Sequence, residues 1–253
     1  MRAVAFLQTL ALTRASTGVA CKAMSGSNAR RGYAPTADEL AQALANHKKS
    51  RIPALPGRKN NLRAGVLIPL VWAPRLKAIA TLRSSGLALH AGEVCFPGGR
   101  PEDSDDGLEA TARREAKEEL GIVEARVLGE LSSVPLFTSE FRLSPYVAEL
   151  SSAAVLTPSA DEVAAVLELD LIEVLARPQI DAVASSFRGI EFLAPIFYAW
   201  EADLRSSQIM FGATAYAFLE LLQVVAKIIG WSLPPLRKCA VTWESLGIEG
   251  HNS

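Results

Sequence analysis

Residues 98–122 read GGRPEDSDDGLEATARREAKEELGI, and this stretch decides the fold. A glycine pair, an acidic loop and a Glu-rich run closed by another glycine follow one another in a single segment. Gly107 to Leu120 has helical character, and Gly121 is placed to end it as a C-terminal cap. On that helix Glu115 stands three and four residues before Glu118 and Glu119, so all three are expected on one face, with Arg114 four residues before Glu118 to orient it. Crowded carboxylates repel one another unless a cation intervenes, and hard oxygen ligands suit Mg²⁺ or Mn²⁺ with phosphates and water completing the coordination. A solvated acidic face is the plainer account of three glutamates. The Phe96-Pro97-Gly98-Gly99 turn before them favours a site, because bare glycine backbone lets a ligand approach closely.

Outward from this segment, Ala64 to Ala73 is a short continuous apolar run suited to a buried strand, with Leu76 to Leu82 as its partner. A loop is expected over 84–92 and a brief strand over 93–96. Further strands are expected at 126–134, 143–150 and 190–200. Helices are expected at 38–47, 170–176 and 213–229, and 48–61 reads as a basic, proline-containing linker. This order predicts a mixed sheet in a layered α/β (α+β) domain over 61–230, with a tail over 231–253. No internal repeat is present.

The 253 residues carry 26 Lys plus Arg against 27 Asp plus Glu. That balance excludes the strongly basic surface of a non-specific nucleic-acid binder. Three cysteines and three histidines are too few and too scattered for a disulfide framework or a Cys- or His-rich metal site. The most apolar helix, 213–231, is broken by Glu220, Gln223 and Lys227, so no membrane span is expected. Residues 1–37 contain five basic residues and no acid, as an organellar transit peptide would, with a secretory signal and a disordered leader as alternatives; the mitochondrion or another organelle is the expected destination, and otherwise the cytoplasm. The rest has 21 basic residues against 27 acids, a net charge of −6.

The segment resembles the Nudix box. Its second half is complete in Arg114, Glu115, Ala116, Glu118, Glu119, Gly121 and Ile122. In the first half, Gly99 lies one residue further upstream than the usual pattern, and Asp105 or Asp106 stands at its glutamate. This longer spacing is similar to the coenzyme A pyrophosphatase branch. So are Ile79–Ser84, His90–Gly99, Asp161-Glu162-Val163 with Val166 and Leu171, and Phe211–Ala215. Where the branch signature carries an arginine, this chain has Ala88.

The resemblance implies a Nudix-type α/β/α sandwich with a mixed sheet and hydrolysis of coenzyme A or acyl-coenzyme A to 3′,5′-ADP and (acyl-)4′-phosphopantetheine. Another nucleoside-diphosphate derivative and a catalytically silent binding module are the alternatives. Glu115, Glu118, Glu119 and a carbonyl near Gly99 are implied as ligands for Mg²⁺ or Mn²⁺. Glu118, Glu119, Glu140 and Glu162 are candidates for catalytic work, and Arg83, His90 and Gly98 for substrate contact. Cys95 reads as a small core residue.

Overall fold

Strand β1 (Leu62–Val71) explains the rest of the architecture. Side chains alternate across a strand, so an unbroken apolar run must be covered on both faces. Val66, Ile68 and Leu70 enter one hydrophobic cluster, whereas Leu67 enters another on the opposite face. The computed structural model describes residues 33–248, except 51, 56, 73, 88–89, 188–189 and 202–206. The leader expected over 1–37 therefore lies almost wholly outside the described residues, as does Ala88.

β1 pairs antiparallel with β2 (Lys77–Arg83) and parallel with β7 (Phe141–Leu150). Two short strands, β3 (Val94–Cys95) and β4 (Gly98–Gly99), pair with β2 and β1. The remaining strands of the large sheet are β5 (Ala125–Glu130), β6 (Val134–Pro135), β8 (Val163–Asp170), β11 (Phe197–Glu201) and β12 (Ser207–Met210). Its main path runs β12-β11-β8-β2-β1-β7-β5. A separate three-stranded sheet orders β10 (Ile190–Pro195), β9 (Ile180–Phe187) and β13 (Leu236–Lys238).

Helix α2 (Leu108–Leu120) covers one face of the large sheet through Ala112, Ala116 and Leu120, which meet Leu67, Ile79 and Ala148. The other face is covered by α1 (Ala37–Asn46) and α4 (Gly212–Ile229), with the short α3 (Leu171–Ala176) in the same cluster. The result is the expected α/β/α sandwich on a mixed sheet. α4 is long and apolar enough to cross a membrane, but most of it is buried against this sheet, so its composition is that of a core helix.

Several sequence expectations change. Gly98-Gly99 is not simply a turn, because the pair bridges Val66 and Gly65 of β1. The strand expected over 190–200 is split at Ile196, whose amide donates to the Asp181 carbonyl, so β10 and β11 belong to different sheets. Residues 163–170 form β8 between β2 and β11. Glu162 thus directly precedes a strand that the sequence reading did not include. Residues 48–61 are pinned rather than free: Ile52 and Leu55 are buried, and the Ser50 amide donates to Ser132 Oγ. Nor is the segment after 230 a loose tail, since β13 pairs in parallel with β9 and Trp243 is buried.

The approach of α2 to β1 depends on Gly65. A Cβ there would stand 2.2 Å from the Leu108 carbonyl oxygen and 3.0 Å from the Ala112 amide. Both are backbone atoms, so relief requires moving the helix. Gly65→Ala is expected to cost about 1–3 kcal/mol, the range for overpacking, read as a lower midpoint in urea denaturation. An unchanged midpoint would show that the helix can withdraw freely.

Candidate active site

Two glutamates one helical turn apart meet the glycine pair. The position a Cβ would take on Gly99 lies 2.2 Å from Glu115 Oε1, so the carboxylate rests directly against the backbone of β4. The Gly98 amide donates to Glu119 Oε1 at 3.3 Å. β4 is fixed by β1, and α2 is fixed by Gly65, so the same packing sets both sides of the contact.

Helix phase separates the three glutamates. Neighbouring residues are rotated by about 100° at 3.6 residues per turn. Glu119 faces the sheet and is 3% exposed, while the Glu115 side chain is 17% exposed. The Glu118 side chain is 52% exposed and held by Arg114, whose Nη1 lies 2.9 Å from its Oε2. The structure therefore brings Glu115 and Glu119 together and turns Glu118 toward solvent. The single face expected from spacing holds only for the i, i+4 pair.

Burial pushes the Glu119 carboxyl up to about 7; the Gly98 amide and the Arg83 charge oppose this, and Glu115 and Glu162 add repulsion. Burial also raises the Glu115 carboxyl, against the Arg114 charge and hydrogen bond, with Glu118 and Glu162 raising it further. Among the described residues Glu119 makes no ion pair.

Arg114 anchors the entry to α2. It donates through Nη2 to the Arg100 carbonyl at 2.9 Å and contacts Asp105, Glu115 and Glu118. Asp105 also accepts from the Glu102 amide and Thr111 Oγ1, both at 2.9 Å. The Arg114 hydrogen bond, followed by the Glu102 amide, holds the Asp105 carboxyl down to about 2. Of the two aspartates left open by spacing, Asp105 joins this framework and Asp106 stays exposed.

Arg83, Ser84 and Glu162 meet at the end of β2. The Ser84 amide donates to the Glu162 carbonyl at 2.8 Å. Arg83 Nε is buried without a hydrogen-bond partner. His90 has a left-handed backbone, with φ of 58°, and its Nδ1 lies 3.0 Å from Glu93 Oε1 at an exposed position. It is thus tied to its own loop. Glu140 instead accepts from the Lys59 and Asn60 amides at 2.7 and 3.0 Å, which hold its carboxyl below the usual range. It fastens that turn rather than facing Glu119. Burial, with repulsion from Glu93 next, pushes the Cys95 thiol up to about 12, which suits an inert thiol.

Spacing gave no hint of how α2 is fastened at its far end. The Thr157 amide donates to the Leu120 carbonyl and the Ser159 amide to the Glu119 carbonyl, both at 2.9 Å. These bonds tie residues 157–162, and with them Glu162, to the helix that carries Glu119. They span some forty residues of sequence, beyond any local signal.

Among the described residues, no group of three or more His, Cys, Asp or Glu is already gathered for a metal ion. Glu115 and Glu119 nevertheless fit a hard divalent cation. They are desolvated anionic oxygens against bare backbone, they repel each other, and Glu119 has no basic partner.

A pH dependence follows for the metal-free protein. The Glu119 carboxyl rises from an ordinary 4.5 to about 7 on folding, so the folded state holds its proton more tightly. Its contribution to stability is complete below 4.5 and is lost as pH rises through about 7. In chelator, the melting temperature of Glu119→Gln minus that of the wild type should grow across this interval, and saturating Mg²⁺ should shrink the gap. A constant difference would contradict the burial of this charge.

The family model described as NUDIX domain matches residues 61–186, from β1 into β9. The Photorhabdus laumondii protein named "Uncharacterized Nudix hydrolase NudL" is 33% identical over 187 residues, covering 72% of this chain and 96% of that protein. A Pectobacterium atrosepticum protein of the same name is 34% identical over 144 residues, covering 56% of this chain and 74% of its own. Among solved structures, a MutT/nudix family protein from Enterococcus faecalis aligns with a TM-score of 0.42 at 16% identity, covering 78% of this chain and 81% of that one. A relative one-third identical along almost its whole length, and a domain match that spans β1, the glycine pair and α2, place this chain in the Nudix hydrolase family, enzymes that hydrolyse pyrophosphate bonds.

Proposed function

We propose that this Nudix hydrolase cleaves coenzyme A or acyl-coenzyme A to 3′,5′-ADP and (acyl-)4′-phosphopantetheine. Its coarser activity is hydrolysis of a nucleoside-diphosphate derivative. The finer assignment is supported by the branch-like segments 79–84, 90–99 and 161–163, which lie around Arg83, the glycine pair and Glu162. The observation that carries the site is Glu119: a buried carboxylate without an ion-pair partner, beside the Gly98 amide and near Arg83.

Glu115, Glu119 and the Gly99 carbonyl would hold Mg²⁺ or Mn²⁺, which would neutralise charge on the diphosphate. The chain's own groups do the rest. Arg83 offers a buried Nε with no other bond to a non-bridging phosphate oxygen, and a guanidinium can grip two such oxygens. The Gly98 amide steadies Glu119. Glu162 takes a proton from the attacking water as that oxygen bonds to phosphorus, and the bridging P–O bond breaks toward the leaving phosphate. In support of this role, the Glu162 charge raises both the Glu115 and the Glu119 carboxyl, and its segment is tied to the helix that carries them. Glu118 serves through Arg114, which it helps to orient.

Ala88 favours a second reading, a dinucleotide or damaged nucleotide, because the arginine of the branch signature is missing there. Purified protein incubated with Mg²⁺ or Mn²⁺ and a panel of coenzyme A, acyl-coenzyme A, ADP-ribose, diadenosine polyphosphates and oxidised nucleoside triphosphates should yield 3′,5′-ADP from the first two at the highest kcat/KM. Faster turnover of another member would reassign the substrate. Glu119→Gln and Glu162→Gln should lower kcat by about 10²–10⁴-fold, the range of acid–base and electrostatic contributions. Near-wild-type rates would displace the site.

We further assign residues 1–37 as a mitochondrial leader on their acid-free, arginine-containing composition. Fused to a fluorescent protein, they should direct it to mitochondria, and diffuse cytosolic signal would refute this.

A further inference from the structure

Three arginines surround the glycine pair, and two are already placed. Arg114 is bound to Asp105, Glu115, Glu118 and the Arg100 carbonyl. Arg83, at the end of β2, has a buried Nε and a charge that acts on Glu119. The third, Arg100, differs from both. It directly follows Gly99, so its Cα lies about 3.8 Å from that residue's. Its guanidinium carbon sits 4.7 Å from the centroid of the Phe141 ring, within cation–π range. Among the described residues no carboxylate pairs with it, and it is exposed. Its carbonyl is held by Arg114, and its guanidinium lies over the ring at the start of β7.

A guanidinium stacked on a ring keeps its N–H edge free. That edge presents a fork of donors matched to a phosphate monoester, which carries nearly two negative charges near neutral pH. The 38–253 portion is acidic overall, so a polyanion is not drawn in by the general field and must find local cations. The side chain at 88 offers none, being alanine.

We infer that Arg100, with its guanidinium over the Phe141 ring, is a specificity-determining residue that grips a second phosphate of the substrate, one that is not cut. Resting on the coenzyme A reading, this phosphate is the 3′-phosphate on the adenosine ribose, separated by that sugar from the diphosphate at Glu115 and Glu119. The contact supplies a local cation that the alanine at 88 does not. It also makes the enzyme selective for nucleotides bearing a ribose phosphate over otherwise identical ones lacking it.

The test compares coenzyme A with 3′-dephospho-coenzyme A. In Arg100→Ala, the ratio of their kcat/KM values should fall about 10–100-fold, as expected for losing charged hydrogen bonds. Arg100→Lys should keep part of the preference through charge alone, and Phe141→Leu should lose part by releasing the guanidinium. Equal melting temperatures would show that each variant folds. A ratio within twofold of the wild type in Arg100→Ala would overturn the inference. Binding gives an independent readout, whatever the turnover: the wild type should bind adenosine 3′,5′-diphosphate more tightly than adenosine 5′-monophosphate, and Arg100→Ala should lose that preference. If the wild type fails to cleave coenzyme A yet keeps the Arg100-dependent preference in binding, the coenzyme A assignment falls and the phosphate site stands. If it shows no such preference in binding, the phosphate site itself is wrong.

Discussion

The contact on which the molecule depends is the approach of α2 to the β1–β4 pair, made through backbone that carries no side chain. Gly65 lets the helix lie on the central strand, and Gly99 leaves room for the Glu115 carboxylate. Gly98 supplies the amide that reaches Glu119. Helix, strand and site are therefore one packing problem. A methyl group at Gly65 displaces the scaffold, and one at Gly99 displaces a carboxylate. The apolar side of α2, through Ala112, Ala116 and Leu120, supplies the adhesion that holds charged groups where they would otherwise avoid one another.

Holding them there destabilises the metal-free protein in a local and useful way. Glu119 is stripped of water and given one amide, the Arg83 charge and two like charges. A group in that state gains more from a divalent cation than an exposed carboxylate does, because the desolvation cost has already been met by folding. The surrounding arginines divide the remaining work. Arg114 neutralises the acidic loop and fixes it to the helix, whereas among the described residues Arg83 and Arg100 form no ion pair with a carboxylate. An acidic domain can thus take a polyanionic substrate through a few placed charges.

How much of this was legible in the chain depends on distance along it. The helix 107–120, its Gly121 end and the glutamates on it are local patterns, and Gly121 is indeed left-handed with φ of 68°. The buried strand at Ala64–Ala73 was likewise readable, because a double-sided strand has to be apolar throughout. β8 was harder to see, since its partly polar pattern, including Glu168, is stabilised by Lys77 across the sheet. Ile190 to Trp200 looked like one strand because nothing local shows that Ile196 turns toward Asp181. Glu140 looked available as a base until its two backbone amides were seen.

The sequence by itself determined the chemistry: a carboxylate helix, a glycine pair to meet it, and 37 acid-free first residues whose charge offsets that of an acidic remainder. These depend on residue type and on spacings within one or two turns, where chain geometry leaves little freedom. The tertiary structure alone decided which carboxylates matter and what stands opposite them. It buried Glu119 and turned Glu118 outward, chose Asp105 over Asp106, fastened Glu162 to the helix end, and laid Arg100 on Phe141. Each of those outcomes joins segments that only folding brings together, and exposure to water, which sets the strength of every charge here, exists only once they have met.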